Sequence, residues 1–189
     1  MKNPNPSRTR GVAAALRLAV AAAALAASVT AGFAFEISSS SVSDGKWDKK
    51  FFADKIAGCD GANVSPALSW KDAPAGTKSF AITLFDPDAP TGSGWWHWQV
   101  WNIAPTVMGF EEGKLPAAVA QSKGDVGRPG YLGPCPPPGT GVHHYTFTIF
   151  ALKTDKLDLS PEASGAYVGY NFNGNAIAKA TVVYSTPAQ

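Results

Sequence analysis

The chain has 189 residues, 45% of them hydrophobic, with 16 Lys+Arg against 14 Asp+Glu. That length suffices for one domain with a real core. The near-balance of charge excludes the basic footprint expected of a nucleic-acid or anionic-membrane binder. In chain order, the first element is an address rather than part of a fold. Lys2, Arg8, Arg10 and Arg17 precede an Ala/Leu/Val run from Leu18 to Ala27, and small residues follow at Ala31, Gly32 and Ala34. This is the pattern of a secretory signal peptide. The run is roughly 10–14 residues, short of the ~20 that a bilayer-spanning helix needs, so a membrane anchor is the weaker alternative. Cleavage after Ala34 leaves small Gly32 at the third position before the cut; cleavage after Ala31 has Val29 there and is the close alternative. The adjacent arginine pair of a folded-protein export signal is missing, because Thr9 separates Arg8 from Arg10.

The expected organisation is therefore a signal peptide over 1–34 and one domain over 35–189, in the periplasm or secreted. Removing the leader takes four of the 16 Lys+Arg and none of the 14 Asp+Glu, which leaves a formal charge of −2. No nucleic acid is expected as a partner, and no integral membrane span after processing. Cys59 and Cys135 are the only cysteines. In an exported chain they read as an intramolecular disulfide, the alternative being two free thiols.

Strand signals outnumber helix signals. Ser79–Phe85 alternates Phe80, Ile82, Leu84 against Ala81, Thr83, Phe85, the period-2 pattern of a strand covered on both faces. Trp95–Ile103 and His144–Leu152 are further strands, rich in aromatic and β-branched residues. Residues 104–141 hold much of the Gly and Pro and read as long loops framing a site. Ser160 followed by Pro161 predicts the start of a short helix, which Gly165, Gly169 and Gly174 should interrupt. Thr181–Ser185 has the character of a closing strand. The fold class is mainly β, with antiparallel sheets packed together as a sandwich and one or two short helices.

The three histidines fall in two short segments, His97 among tryptophans and His143-His144 before Tyr145. Asp86-Pro87-Asp88-Ala89-Pro90 ends one strand just before the strand that carries His97, so a proline-stiffened turn brings these groups together. Alternation places His143 and Tyr145 on one face roughly 7 Å apart, with His144 on the other. The bland readings are turn-capping carboxylates at Asp86 and Asp88, a satisfied core imidazole at His97, tryptophan packing and a surface position for Arg128. A divalent metal held by Asp86, Asp88, His97 and His143 is a rival, but no recognised ligand spacing supports it. A hydrolase is weaker still, since no G-x-S-x-G elbow appears.

Asp86-Pro87-Asp88-Ala89-Pro90, Trp96-His97, Gly133-Pro134-Cys135-Pro136-Pro137-Pro138-Gly139 and His143-His144-Tyr145 resemble, in order and spacing, the signature blocks of the phosphatidylethanolamine-binding (Raf kinase inhibitor-like) proteins. Cys59–Trp70 resembles the N-terminal block of their bacterial branch, and the resemblance covers residues 35–185. It implies a pocket at one end of the central sheet that accepts phosphate, acetate or a phosphorylated headgroup, with no catalysis and no cofactor. Carried over, the ligand-binding residues are Asp86, His97, Cys135, Pro136, Pro137, His143 and Tyr145. Asp86 is expected to fix an imidazole tautomer and raise its pKa, while histidine N–H groups and the Tyr145 hydroxyl contact the anion. Two departures stand out: the chain ends soon after Tyr184, and Cys135 stands where eukaryotic relatives often have glycine. An interaction module, such as a protease or kinase-pathway inhibitor, is the alternative implied by the same family.

Overall fold

The computed structural model describes Met1 and residues 34–186; apart from its two end residues, the expected signal peptide lies outside the described residues. Chain contacts divide the molecule into Met1–Gly32 and Phe33–Gln189, and every element below belongs to the second unit. Strands β1 (Glu36–Ser38), β2 (Leu68–Lys71), β3 (Ser79–Asp86) and β4 (Trp95–Ile103) come first. Short β5 (Gly109–Phe110) and β6 (Ala120–Gln121) interrupt the expected loop region, followed by β7 (His143–Leu152), helix α1 (Gly165–Asn175) and β8 (Ala176–Thr186). All pairings are antiparallel. They form a three-stranded sheet, β1-β2-β5, and a five-stranded sheet, β6-β4-β3-β7-β8. The chain is mainly β, as the strand signals indicate.

The alternation in β3 has a direct structural consequence. Phe80, Ile82 and Leu84 join Ile37, Leu68 and Trp70 of the small sheet in one buried core. Ala81, on the opposite face, joins Trp101, Phe150, Val168 and Phe172 under α1. Burying both faces of β3 explains why its sequence reads as a nearly continuous apolar run. No helix among the described residues is long and apolar enough to cross a membrane.

The helix corrects the sequence reading. Residues 161–163 form only a turn, and α1 begins after Ser164, whose hydroxyl caps the helix by accepting from the Tyr167 N–H at 3.3 Å. Gly165, Gly169 and Gly174 lie inside α1 rather than ending it. Tertiary packing overrides helix propensity here. A Cβ on Gly165 would sit 2.3 Å from Cγ of Trp96, so only glycine allows α1 to lie against that indole. The Gly165 carbonyl also accepts the amide of buried Gln99 at 2.8 Å. Gly165→Ala is expected to destabilise the fold by about 1–3 kcal/mol through overpacking, read as a lower urea midpoint. Gly174→Ala, at a position open to solvent, should leave that midpoint unchanged or raise it.

Candidate functional site

Three segments meet at one end of the large sheet. Asp86 is the last residue of β3, His97 lies early in β4, and His143 and Tyr145 open β7. All four side chains are buried. The β3–β4 register pairs Phe85 with Trp96 and Leu84 with Trp98, so His97 is the extra residue of a β-bulge. A bulge re-aims one side chain out of the regular alternation. Here it brings the His97 ring against Tyr145, with ring centroids 5.2 Å apart.

These side chains close one end of a cavity of about 220 Å³. Its remaining wall is largely apolar: Ile56, Ala57, Pro90, Trp95 and Leu132 all contribute. Of the expected Cys135–Pro137 turn, Cys135 and Pro137 line the cavity, whereas Pro136 is buried and does not. Cys135 is bonded to Cys59, with Cα atoms 6.0 Å apart. The bridge ties the cavity's proline turn to the segment carrying Ile56 and Ala57.

Hydrogen bonds assign the roles of the polar groups. Asp86 Oδ1 accepts the backbone N–H of Asp88 at 2.9 Å, which closes the Asp-Pro-Asp turn. Asp86 Oδ2 accepts Nδ1–H of His143 at 2.7 Å. The other ring nitrogen of His143 lies 2.8 Å from Thr140 Oγ1, which is also 2.7 Å from the Pro137 carbonyl, and the single hydroxyl proton serves one of the two contacts. His143 is thus fixed at both ends, and Thr140 is a positioning residue that sequence reasoning missed. The only signal was its place three residues ahead of His143.

His97 is held differently. Its Nδ1–H donates to the Leu132 carbonyl at 3.0 Å, and Nε2 lies 4.0 Å from Asp86 Oδ2. Burial lowers its pKa from 6.5 to about 4, more than the Leu132 carbonyl and the Asp86 charge restore. The ring is therefore neutral at pH 7, and Nε2 presents a lone pair rather than a proton. Burial, reinforced by the charge of the Asp86 carboxylate and by hydrogen bonding of the phenol to it, pushes the Tyr145 phenol well up, so its O–H stays protonated and a ligand competes with Asp86 for this donor.

Asp88 and His144 stand outside this set. The Asp88 carboxylate accepts both the backbone N–H and the ring Nδ1–H of His144 at 2.8 Å, on the exposed side of β7. Partial burial opposes ionisation of Asp88, but these hydrogen bonds and the nearby imidazoles outweigh it and hold its pKa below the usual carboxylate range. The pair pins the β3–β4 turn to the start of β7. Among the described residues no three His, Cys, Asp or Glu side chains are grouped so as to hold a metal ion.

The same segments carry the likeness to known proteins. The sequence profile described as phosphatidylethanolamine-binding protein matches residues 41–185, which include every cavity residue named above. The UPF0098 protein YbcL of Escherichia coli is 46% identical over 156 residues, covering 79% of this chain and 85% of that protein. The UPF0098 protein YbhB of Escherichia coli is 47% identical over 131 residues, covering 66% and 82%. The crystal structure of YbcL, described as a new member of the mammalian PEBP family, superposes with a TM-score of 0.77 at 43% identity, over 82% of this chain and 99% of that one. A putative phosphatidylethanolamine-binding protein homologue from Chlamydia trachomatis gives 0.70 at 29% identity, over the same shares. With a profile match over most of its length and the paired sheets and end-of-sheet cavity in place, the chain belongs to the phosphatidylethanolamine-binding protein family.

Proposed function

We propose that this chain is an exported, non-catalytic binding protein whose end-of-sheet cavity takes a small anion of the phosphate or phosphorylated-headgroup class. One observation carries the reading: the neutral Nε2 of His97, the Tyr145 hydroxyl and the fixed Asp86–His143 pair converge at one end of a cavity with an apolar wall. A singly protonated phosphate matches this set, donating its P–OH to His97 Nε2 and accepting from Tyr145. A dianion can bind only if His97 takes up a proton with it. The apolar wall suits the short carbon chain of a headgroup, and about 220 Å³ admits a ligand smaller than a drug molecule.

The non-catalytic reading draws on the lining. Its one aliphatic hydroxyl, Thr91, donates to the Gly94 carbonyl at 2.6 Å, and its one sulfur is in the disulfide. Neither is paired with a general base. Export rests on the N-terminal segment, and the crosslink suits an oxidising compartment. A second reading, a protein-interaction module, draws on the exposed side chains of Tyr167 and Tyr170 in α1 and of Ile177 in β8.

Calorimetric titration with phosphorylethanolamine tests the proposal. The expected dissociation constant is about 0.1–10 mM, given the few atoms of the ligand. Either mode of binding retains a proton that is lost at high pH, so affinity should be higher at pH 5.5 than at pH 8.5. Chelator should change neither binding nor melting temperature. Equal affinity at the two pH values removes the protonation argument. Stoichiometric zinc, lost together with stability on chelation, replaces the anion site with a metal centre.

A further inference from the structure

A second and more open cleft, of about 440 Å³, lies among segments 63–65, 113–115 and 128–131, with Trp98 of β4 and Gln121 of β6 completing its lining. None of its residues lines the first cavity. Its walls are fixed. The Tyr131 hydroxyl donates to the Phe51 carbonyl at 3.0 Å, and its ring stands edge-on to Trp98 with centroids 5.5 Å apart. The Asn63 amide donates to the Tyr131 carbonyl at 2.7 Å and its Oδ1 accepts the Gly133 N–H at 2.8 Å, anchoring the Arg128 loop. Gly130, at φ 111°, makes the turn that returns that loop to Tyr131.

Three donors on this cleft have no partner among the described residues. Trp98 Nε1–H donates to Gln121 Oε1 at 2.8 Å; an indole N–H only donates, so the amide is oriented and its NH₂ carries no hydrogen bond. The Ser65 hydroxyl belongs to a residue only 7% exposed, makes no hydrogen bond and is not sealed from solvent. Arg128, the only arginine between Phe35 and Gln189, makes no ion pair. The acids on the segments that form the cleft are engaged elsewhere: Asp125 Oδ2 accepts the Trp96 N–H at 2.7 Å, Glu111 pairs with Lys114 at 2.5 Å and Glu112 with Lys50 at 2.6 Å.

We propose that this cleft binds a monoanionic carboxylate attached to a flat apolar body. The Arg128 guanidinium matches a carboxylate as a two-pronged donor. Gln121 and Ser65 supply neutral donors, while partly exposed Val64 and Leu115 offer apolar contact over the buried Trp98. One cation among neutral donors balances one negative charge, whereas a phosphate dianion leaves a charge unmatched.

Phenylacetate titrated into the ¹⁵N-labelled protein is the test. The Trp98 indole N–H, the Gln121 side-chain amide and the Gly130 amide should shift together, with a dissociation constant of about 1–10 mM. Arg128→Gln, at an exposed side chain, should leave the rest of the spectrum in place and weaken binding at least about tenfold. Phenylacetamide, the neutral analogue, should bind at least about tenfold more weakly to the parent protein. Failure of these three resonances to move at about 50 mM phenylacetate, well above that range, overturns the proposal. So does equal binding by Arg128→Gln or by phenylacetamide.

Discussion

Replacing Cys59 and Cys135 together by serine is expected to lower the free energy of unfolding by about 4–5 kcal/mol, because the bridge spans 76 positions of sequence and restricts a long loop of the unfolded chain. Against a typical total of about 5–15 kcal/mol, that is a large share. The effect should also reach the cavity. The bridge holds the 55–59 turn, which is closed by Lys55 N–H to the Cys59 carbonyl at 2.9 Å and Cys59 N–H to the Ile56 carbonyl at 2.8 Å. Lys55 and Ala57 sit in the left-handed region, at φ 53° and 50°, where non-glycine residues are held only by their surroundings. Released from Cys135, this turn should relax and withdraw Ile56 and Ala57 from the cavity wall. Urea unfolding of parent and double variant is the measurement, and coincident midpoints contradict the argument.

The second large effect is a pH dependence of stability centred on His97. Its pKa is lowered from 6.5 to about 4 on folding, so between these values the unfolded chain binds a proton that the folded chain does not. The contribution is intact above pH 6.5 and is lost progressively as pH falls to about 4, amounting to about 3 kcal/mol across that window. His97→Asn places an amide donor near Nδ1, within reach of the Leu132 carbonyl, and removes the titrating group. Unfolding free energies measured from pH 7 to pH 4 should fall less steeply for this variant than for the parent. Parallel profiles contradict the assignment to His97.

Much of this architecture was legible because its signals are local. Phe80, Ile82 and Leu84 alternate with period two, and β4 and β7 are dense in aromatic and β-branched residues, so element type and approximate bounds follow from the sequence. The start of α1 did not. Its glycines look like breakers until Trp96 is seen lying against Gly165, a contact 69 positions away in sequence. The bulge at His97 was equally hidden, since it exists only in the register between β3 and β4. The Asp86–His143 contact was anticipated in outline, through the resemblance and the expected orienting role of Asp86. The expectation that Asp86 raises an imidazole pKa fails at His97, whose pKa is lowered because burial outweighs the Asp86 charge, and its polarity depends on a carbonyl at Leu132 that no local pattern reports. Thr140, the walls at Ile56 and Ala57, and the second cleft likewise depend on which loops converge.

The central claim is that the cavity bounded by Asp86, His97, His143 and Tyr145 binds a phosphate-class anion. Its most direct test is a phosphorylethanolamine titration at pH 6 monitored by the resonances of the ¹⁵N-labelled protein, in the parent and in Tyr145→Phe. Loss of the hydroxyl keeps the aromatic packing against Trp47 and His97 and removes one donor to the anion. The account predicts saturable shifts confined to His97, Trp95, the 132–137 turn and the start of β7, with affinity weakened at least about tenfold in Tyr145→Phe, the equivalent of one hydrogen bond to a charged group. Shifts that map elsewhere, or a Tyr145→Phe variant that binds as tightly as the parent, contradict it.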